Sequence, residues 1–221
     1  MKVKQIGKTT ALCIAALALL TTGQRAWAKS IRDLRLGNVT LGYQYTGGVE
    51  ATGASTLGTS RSKDSFGGFT LGLRKQGFRF FADKARLSWD TSLVLASIES
   101  GLPSPTPSPN WRLEGTLLNI RTGPGIEVRL TDSLLFKLGT GMDTAYLDAS
   151  LQATTKLRDK GWHFGGHVDG SLFYVPNPSF SIYGGGGLER IGEQKLGDGA
   201  DHAILDLSSN WTLSTGMAFR W

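Results

Sequence analysis

The chain has 221 residues, with 24 Lys and Arg against 18 Asp and Glu and a single cysteine, Cys13. That cysteine usage excludes a disulfide framework or a thiolate metal centre. Of the net charge of +6, four units come from Lys2, Lys4, Lys8 and Arg25, so the basic balance gives no case for nucleic acid as a partner.

The first element is a signal pattern. Lys2, Lys4 and Lys8 precede the apolar run Ala11–Leu20, and Ala26-Trp27-Ala28 offers small residues for cleavage before Lys29. The run is too short to span a membrane as a helix. Cys13 is no lipidation site, because Leu12 stands where a small residue is wanted and the apolar run continues past it. Residues 1–28 therefore read as a signal peptide and 29–221 as one domain, with no later segment apolar enough for a membrane helix.

Eight strands are predicted by period-two alternation. The first, about Leu34–Thr46, sets Val39, Leu41, Tyr43 and Tyr45 against Thr40, Gly42 and Gln44. The second begins near Phe66, with Phe69, Leu71 and Leu73 opposite Thr70, Gly72 and Arg74, and loses phase at Lys75–Gly77, as a bulge would cause. The third, Ala85–Ile98, and the fourth, Trp111–Leu130, follow. The fifth is Leu134–Leu147, the sixth Trp162–Val175, the seventh Phe180–Ile191 and the eighth about Ala203–Trp221. Short connections (Ala82–Lys84, Thr131–Ser133, Pro176–Ser179) alternate with long ones, Gly47–Ser65, Glu99–Asn110, Ala149–Gly161 and Gly192–His202. An up-and-down sheet whose two ends face different compartments produces that rhythm.

Three features turn the apolar face outward, toward lipid. The polar face is mostly Gly, Ser and Thr with scattered charges, whereas a water-facing exterior is charge-rich. Aromatics gather toward strand ends, as at a membrane interface: Tyr43, Tyr45, Trp89, Trp111, Tyr146, Trp162, Tyr174 and Trp221. Strands of about 12–14 residues cross a bilayer when tilted, and only a closed barrel satisfies its backbone there.

The expected fold is thus an all-β, eight-stranded antiparallel up-and-down transmembrane barrel in the bacterial outer membrane. With its signal, strand count, loop rhythm and closing Gly216–Trp221, the chain resembles the small eight-stranded outer-membrane barrels of the OmpA transmembrane domain and OmpX type. The resemblance implies that the C-terminal strand is read by the barrel-assembly machinery. Phe is the usual last residue there, and this chain has Trp221.

On this reading the lumen holds Arg74, Arg86, Asp90, Arg121, Glu127, Arg129, Lys137, Asp143, His163, Glu189, Asp206 and Arg220, both signs pairing to plug the bore. His167, Asp169 and Ser171 share one parity and are the candidate base, orienter and nucleophile of a hydrolase. Same-face neighbours on one strand stand about 7 Å apart, so a hydrogen-bonded ion network is the plainer account. The four-residue spacing of His163 and His167 separates them too far on a strand to share one ion. No cofactor or metal is expected. Lys156, Arg158 and Lys160, placed in a surface loop, are candidates to touch lipopolysaccharide phosphates. The expected function is a non-enzymatic, monomeric barrel, structural or surface-interacting. The alternatives are a narrow channel and, after it, a lipid A-modifying enzyme.

Overall fold

The computed structural model describes residues 36–55, 58–80, 84–102, 111–152, 156–177, 179–197, 199 and 202–220. The expected signal segment 1–28, residues 29–35 and Trp221 lie outside the described residues. Ten strands follow in order: β1 (Leu36–Ser55), β2 (Gly58–Phe80), β3 (Ala85–Leu102), β4 (Trp111–Arg129), β5 (Leu134–Gln152), β6 (Lys156–Asn177), β7 (Phe180–Arg190), β8 (Glu193–Leu196), β9 (His202–Asp206) and β10 (Asn210–Arg220). β1 to β7 pair antiparallel one after the next, and β10 pairs with β7 on one side and β1 on the other. That closes a ring of eight strands, so no backbone edge is left in the membrane. β8 and β9 form a hairpin continuing β7 and β10 outward, with β9 paired to β1 along Glu50–Ala54.

The strands are longer than alternation predicts. β1–β6 run 18 to 23 residues, because most of two expected long loops, 47–65 and 149–161, and the start of a third, 99–102, are strand. Val49–Ser55 pairs with Gly58–Asp64, and Ala149–Gln152 with Lys156–Asp159. These segments are rich in Gly, Ser and charge, which are poor strand formers in isolation, yet here they continue a ladder already set by the barrel.

β5 shows what the extension changes. Lys137, Gly139, Gly141 and Asp143 point inward, followed on the same face by Ala145, Leu147, Ala149 and Leu151. The outward face runs Leu134, Phe136, Leu138 and Met142 to Tyr146, then Asp148, Ser150 and Gln152. The wall therefore inverts its polarity at Tyr146. Below that level it is apolar outside and polar inside, as lipid requires. Above it the wall is polar outside and apolar inside, as water requires. Val49, Ile98, Leu102, Leu113, Leu147 and Leu205 meet in this upper core, each at most 2 % exposed. Such a crown of aliphatic side chains is stabilised by roughly 1.5–3 kcal/mol per buried residue. Trp111, expected at the membrane interface, is buried in the crown instead, because β4 continues past the bilayer with its odd positions inward.

In β1 and in β9–β10 the inversion is made by the backbone. A bulge between Gly47 and Val49, with Gly48 at φ +85°, turns the odd positions from outward (Leu41, Tyr43, Tyr45) to inward (Val49, Ala51). The break at Leu207–Ser209 does the same between β9 and β10. Alternation read straight through it puts Asp206 in the lumen. The structure corrects this: Ala203 and Leu205 point inward, Asp206 points out, and its carboxylate accepts the Ser208 N–H at 2.7 Å. The phase slip predicted at Lys75–Gly77 is present as a register shift between Gln76 and Arg79.

Candidate functional site

Within the membrane span, the inward faces of β2–β7 build one ion chain. Nearest the short turns, Arg86 and Arg74 both pair with the buried carboxylate of Glu127, Arg74 at 3.1 Å. Arg74 also holds Asp90 at 2.8 Å, Asp90 holds Lys137 at 2.9 Å, and Lys137 lies 3.6 Å from Asp169. Asp169 is 3.7 Å from Nε2 of His167, whose Nδ1 is 2.8 Å from Asp143. Arg121 then stands 3.5 Å from Asp143 and 3.9 Å from Glu189, and Asn119 donates to Glu189 at 2.5 Å. Leu117, the next inward large side chain of β4, already belongs to the crown. Charges spaced along these six strands thus pair across the bore, because an ion withdrawn from water survives only beside its counter-ion.

Gln44 accepts from Arg121 at 2.9 Å, and Gln76 accepts from Arg86 at 2.6 Å. Neither glutamine, nor Asn119, was legible as part of the site, since an uncharged amide gives no signal beyond lying on the polar parity. The chain leaves a polar cavity of about 90 Å³ among Thr40, Thr70, Arg74, Arg121, His167 and Ser214, room for several waters. Arg74, stacked over the Phe173 ring at 4.3 Å, lines both this cavity and a smaller recess with Arg86 and Ser181.

The predicted lumenal set is largely brought together: Arg74, Arg86, Asp90, Arg121, Glu127, Lys137, Asp143 and Glu189 are all in the chain. Arg129 is exposed at the rim beside the β4–β5 turn rather than in the lumen, because β4 ends there. Arg220 pairs through its backbone with Asn38, and its side chain lies outside the described residues. His163 points inward but joins a different group: it meets Gln194 of β8 at 2.5 Å, and Gln194 donates to Asp159 at 2.6 Å.

His167, Asp169 and Ser171 do not assemble as a triad. The close partner of His167 is Asp143 on the neighbouring strand, and among the described residues no hydrogen bond links Ser171 to His167. No group of three or more His, Asp or Glu is arranged to hold a metal ion among the described residues.

The outward aromatics pair with one another. Tyr45 packs on Trp211 (5.4 Å between ring centroids), Tyr146 on Trp162 (5.2 Å) and Tyr43 on Phe69 (5.8 Å). Trp89 and Tyr174 are exposed toward the other end. Lys156, Arg158 and Lys160 sit on the outward face of β6 rather than in a loop. Arg158 grips Asp148 with two bonds, at 2.9 and 2.5 Å, and so holds that carboxyl below its usual range.

No protein-family model and no curated protein sequence matches the chain. Among solved structures the barrel is similar to OprG of Pseudomonas aeruginosa, with a TM-score of 0.51 and 13% identity over 85% of this chain and 97% of that one. It also matches the outer-membrane protease OmpT of Escherichia coli (TM-score 0.49, 8% identity, 86% and 98% covered). A third match is Ail, the attachment invasion locus protein of Yersinia pestis, in complex with a heparin analogue (0.43, 13%, 83% and 99%). The chain has the fold of the small outer-membrane β-barrels. At such identities the likeness extends to fold alone.

Proposed function

We propose that this protein is a non-conducting, non-enzymatic outer-membrane barrel that presents a rigid strand-built crown at the cell surface. The observation that carries the reading is the closure of the bore by two unlike materials in series. The ion chain fills the membrane span, and the aliphatic crown stands above it with residues such as Leu147 and Leu151 wholly buried. A solute would have to break several buried ion pairs and then part a packed apolar core. A hydrolase reading has no nucleophile joined to His167 and no path for a lipid to reach it. The extended hairpins, clasped outside by Glu50–Lys63 and Asp148–Arg158, are the surface left for partners. Assembly through β10 by the barrel machinery, contact with lipopolysaccharide and a monomeric state belong to the same proposal. Planar-bilayer recording tests it: the purified barrel is expected to stay silent at ±100 mV, and a steady unitary conductance would reject it.

A further inference from the structure

Above the membrane span the ring parts into two sheets. Among the described residues, no ladder joins β2 to β3 above Gly67, and none joins β6 to β7 or β8 above Gly166. Between these two seams stand two leaves. One has the strand order β8-β9-β1-β2, through residues 193–196, 202–206, 49–55 and 58–64. The other has the order β3-β4-β5-β6, through residues 98–102, 111–117, 147–152 and 156–161. They pack face to face as a sandwich. Val49, Ala51, Leu196 and Leu205 of the first leaf share one core with Ile98, Leu113, Leu147 and Leu151 of the second. The Trp111 ring crosses between them, so close to the first leaf that a Cβ on Gly53 would lie 2.8 Å from it.

The leaves are rooted differently. In the second, the β3–β4 and β5–β6 ladders run from the membrane span into the crown without a register shift. In the first, the backbone breaks where it leaves the barrel. β1 slips register between Gly47 and Val49, around Gly48 at φ +85°, and β7 gives way to β8 at Gly192, at φ +122°. β9 gives way to β10 over residues 207–209. These breaks lie side by side. A Cβ on Gly48 would stand 3.2 Å from the Ser209 carbonyl oxygen, while the Ile191 N–H donates to Leu207 and the Leu207 N–H to Gly192, each at 2.8 Å.

Polar side chains span each seam. At the β2–β3 seam Ser100 donates to the Asp64 carboxylate, which Ser62 also holds at 2.7 Å. At the β6–β8 seam Gln194 donates to Asp159 at 2.6 Å and meets His163 at 2.5 Å.

We infer that the first leaf is a hinged lid, which swings as one body on the line Gly48–Ser209–Gly192 and is latched to the second leaf at Asp64–Ser100 and Gln194–Asp159. Hinges of this kind concentrate the backbone change in a few residues at element ends. No ladder crosses either seam among the described residues, so opening separates side chains and leaves the strand pairing of both leaves intact. The inference goes beyond the proposed function: latched, the crown is the surface described above, and the bridges set how often it opens.

Spin-label distances in the refolded barrel in detergent micelles test it. Labels at Thr52 and Ser150, one on each leaf, should give a single distance in the wild type. Asp64→Ala with Gln194→Ala, which removes both latches, should add a second, longer distance. Pairs within one leaf, Arg61 with His202 and Glu99 with Ser150, should not change. In the same latch variant, with Trp111 as the one remaining tryptophan, acrylamide quenching should rise several-fold. The milder Gln194→Glu sets a carboxylate against Asp159 and should give the longer distance in a smaller fraction. An unchanged Thr52–Ser150 distance in both variants would overturn the hinge. Broadening within a leaf would overturn it too, because the crown would then be melting rather than swinging. Heat-modifiable gel mobility and bilayer silence, read on the same samples, keep either failure distinct from failure of the barrel reading.

Discussion

His167 on β6 takes its close partner from β5: its Nδ1 lies 2.8 Å from Asp143, while Asp169, two positions along its own strand, is 3.7 Å from Nε2. The cross-strand neighbour wins because adjacent strands stand about 4.8 Å apart, whereas same-face residues on one strand are about 7 Å apart. His167 therefore serves the ion chain. His167→Ala leaves Asp143 short of a partner and is expected to destabilise the barrel by about 1–3 kcal/mol. The lipid A mass spectrum of cells carrying the variant should match that of wild type. A missing or added acyl chain that tracks this substitution would return the enzyme reading to first place.

Glu127 is the sharper stability test. It is fully buried and neutralises both Arg74 and Arg86. Glu127→Gln takes the shared carboxylate away from Arg86 and leaves Arg74 with Asp90, in a low-dielectric bore, with an expected cost of about 3–5 kcal/mol. Urea titration followed by the heat-dependent gel shift reads this directly. An unchanged midpoint would mean that water reaches these arginines freely.

Two glycines on the strands that flank β1 separate backbone constraint from side-chain crowding. A Cβ on Gly216 would meet the Leu41 carbonyl oxygen at 2.2 Å, at the β1–β10 closure, where nothing can move aside. A Cβ on Gly67 would meet only the phenol of Tyr43, at 1.7 Å for the hydroxyl, and that ring is free to swing toward lipid. Gly216→Ala is expected to lower the yield of the folded, fast-migrating form sharply, and Gly67→Ala to leave it near wild type.

The Asp148–Arg158 clasp carries a pH dependence of known sign. The Arg158 hydrogen bonds hold the Asp148 carboxyl below its unfolded value. The stabilisation is therefore present above the unfolded carboxylate pKa and is lost as pH falls through the lowered folded one. Arg158 is exposed and Asp148 half-buried at the surface, so the effect is local. Hydrogen exchange near the outer ends of β5 and β6 should quicken on acidification below the usual carboxylate range. Asp148→Asn should abolish that response and exchange fast at every pH.

Alternation alone gave the strand order, the closed sheet and most of the ion chain, because lipid outside and a cramped lumen inside impose a strict period of two. It failed where the environment changes along one strand. In β5 the inward parity simply passes from Asp143 to Leu147, and a reader expecting loops stops there. In β9–β10 the same parity carries Leu205 and Leu207, then Ser209, then Trp211 and Leu213, while the backbone break turns it from inside to outside. The one mark of that turn is the polar Ser208-Ser209-Asn210, and alternation read across it misplaces Asp206. The pairing of His167 with Asp143 was equally hidden, since register between strands is set by hairpin geometry rather than by either strand's own sequence.

The central claim is that the wall inverts its polarity above the bilayer, and Trp111 reports on it most directly. It is 2 % exposed inside the crown, whereas Trp162, on the lipid side, is 56 % exposed. Two variants retaining only Trp111 or only Trp162 would be reconstituted in vesicles and quenched in turn with brominated lipid and aqueous acrylamide. Trp162 should be quenched strongly by the brominated chains, and Trp111 should resist both agents. Strong acrylamide quenching of Trp111 would mean that the crown is open to water, and strong lipid quenching that the indole faces the membrane. Either result would contradict the account.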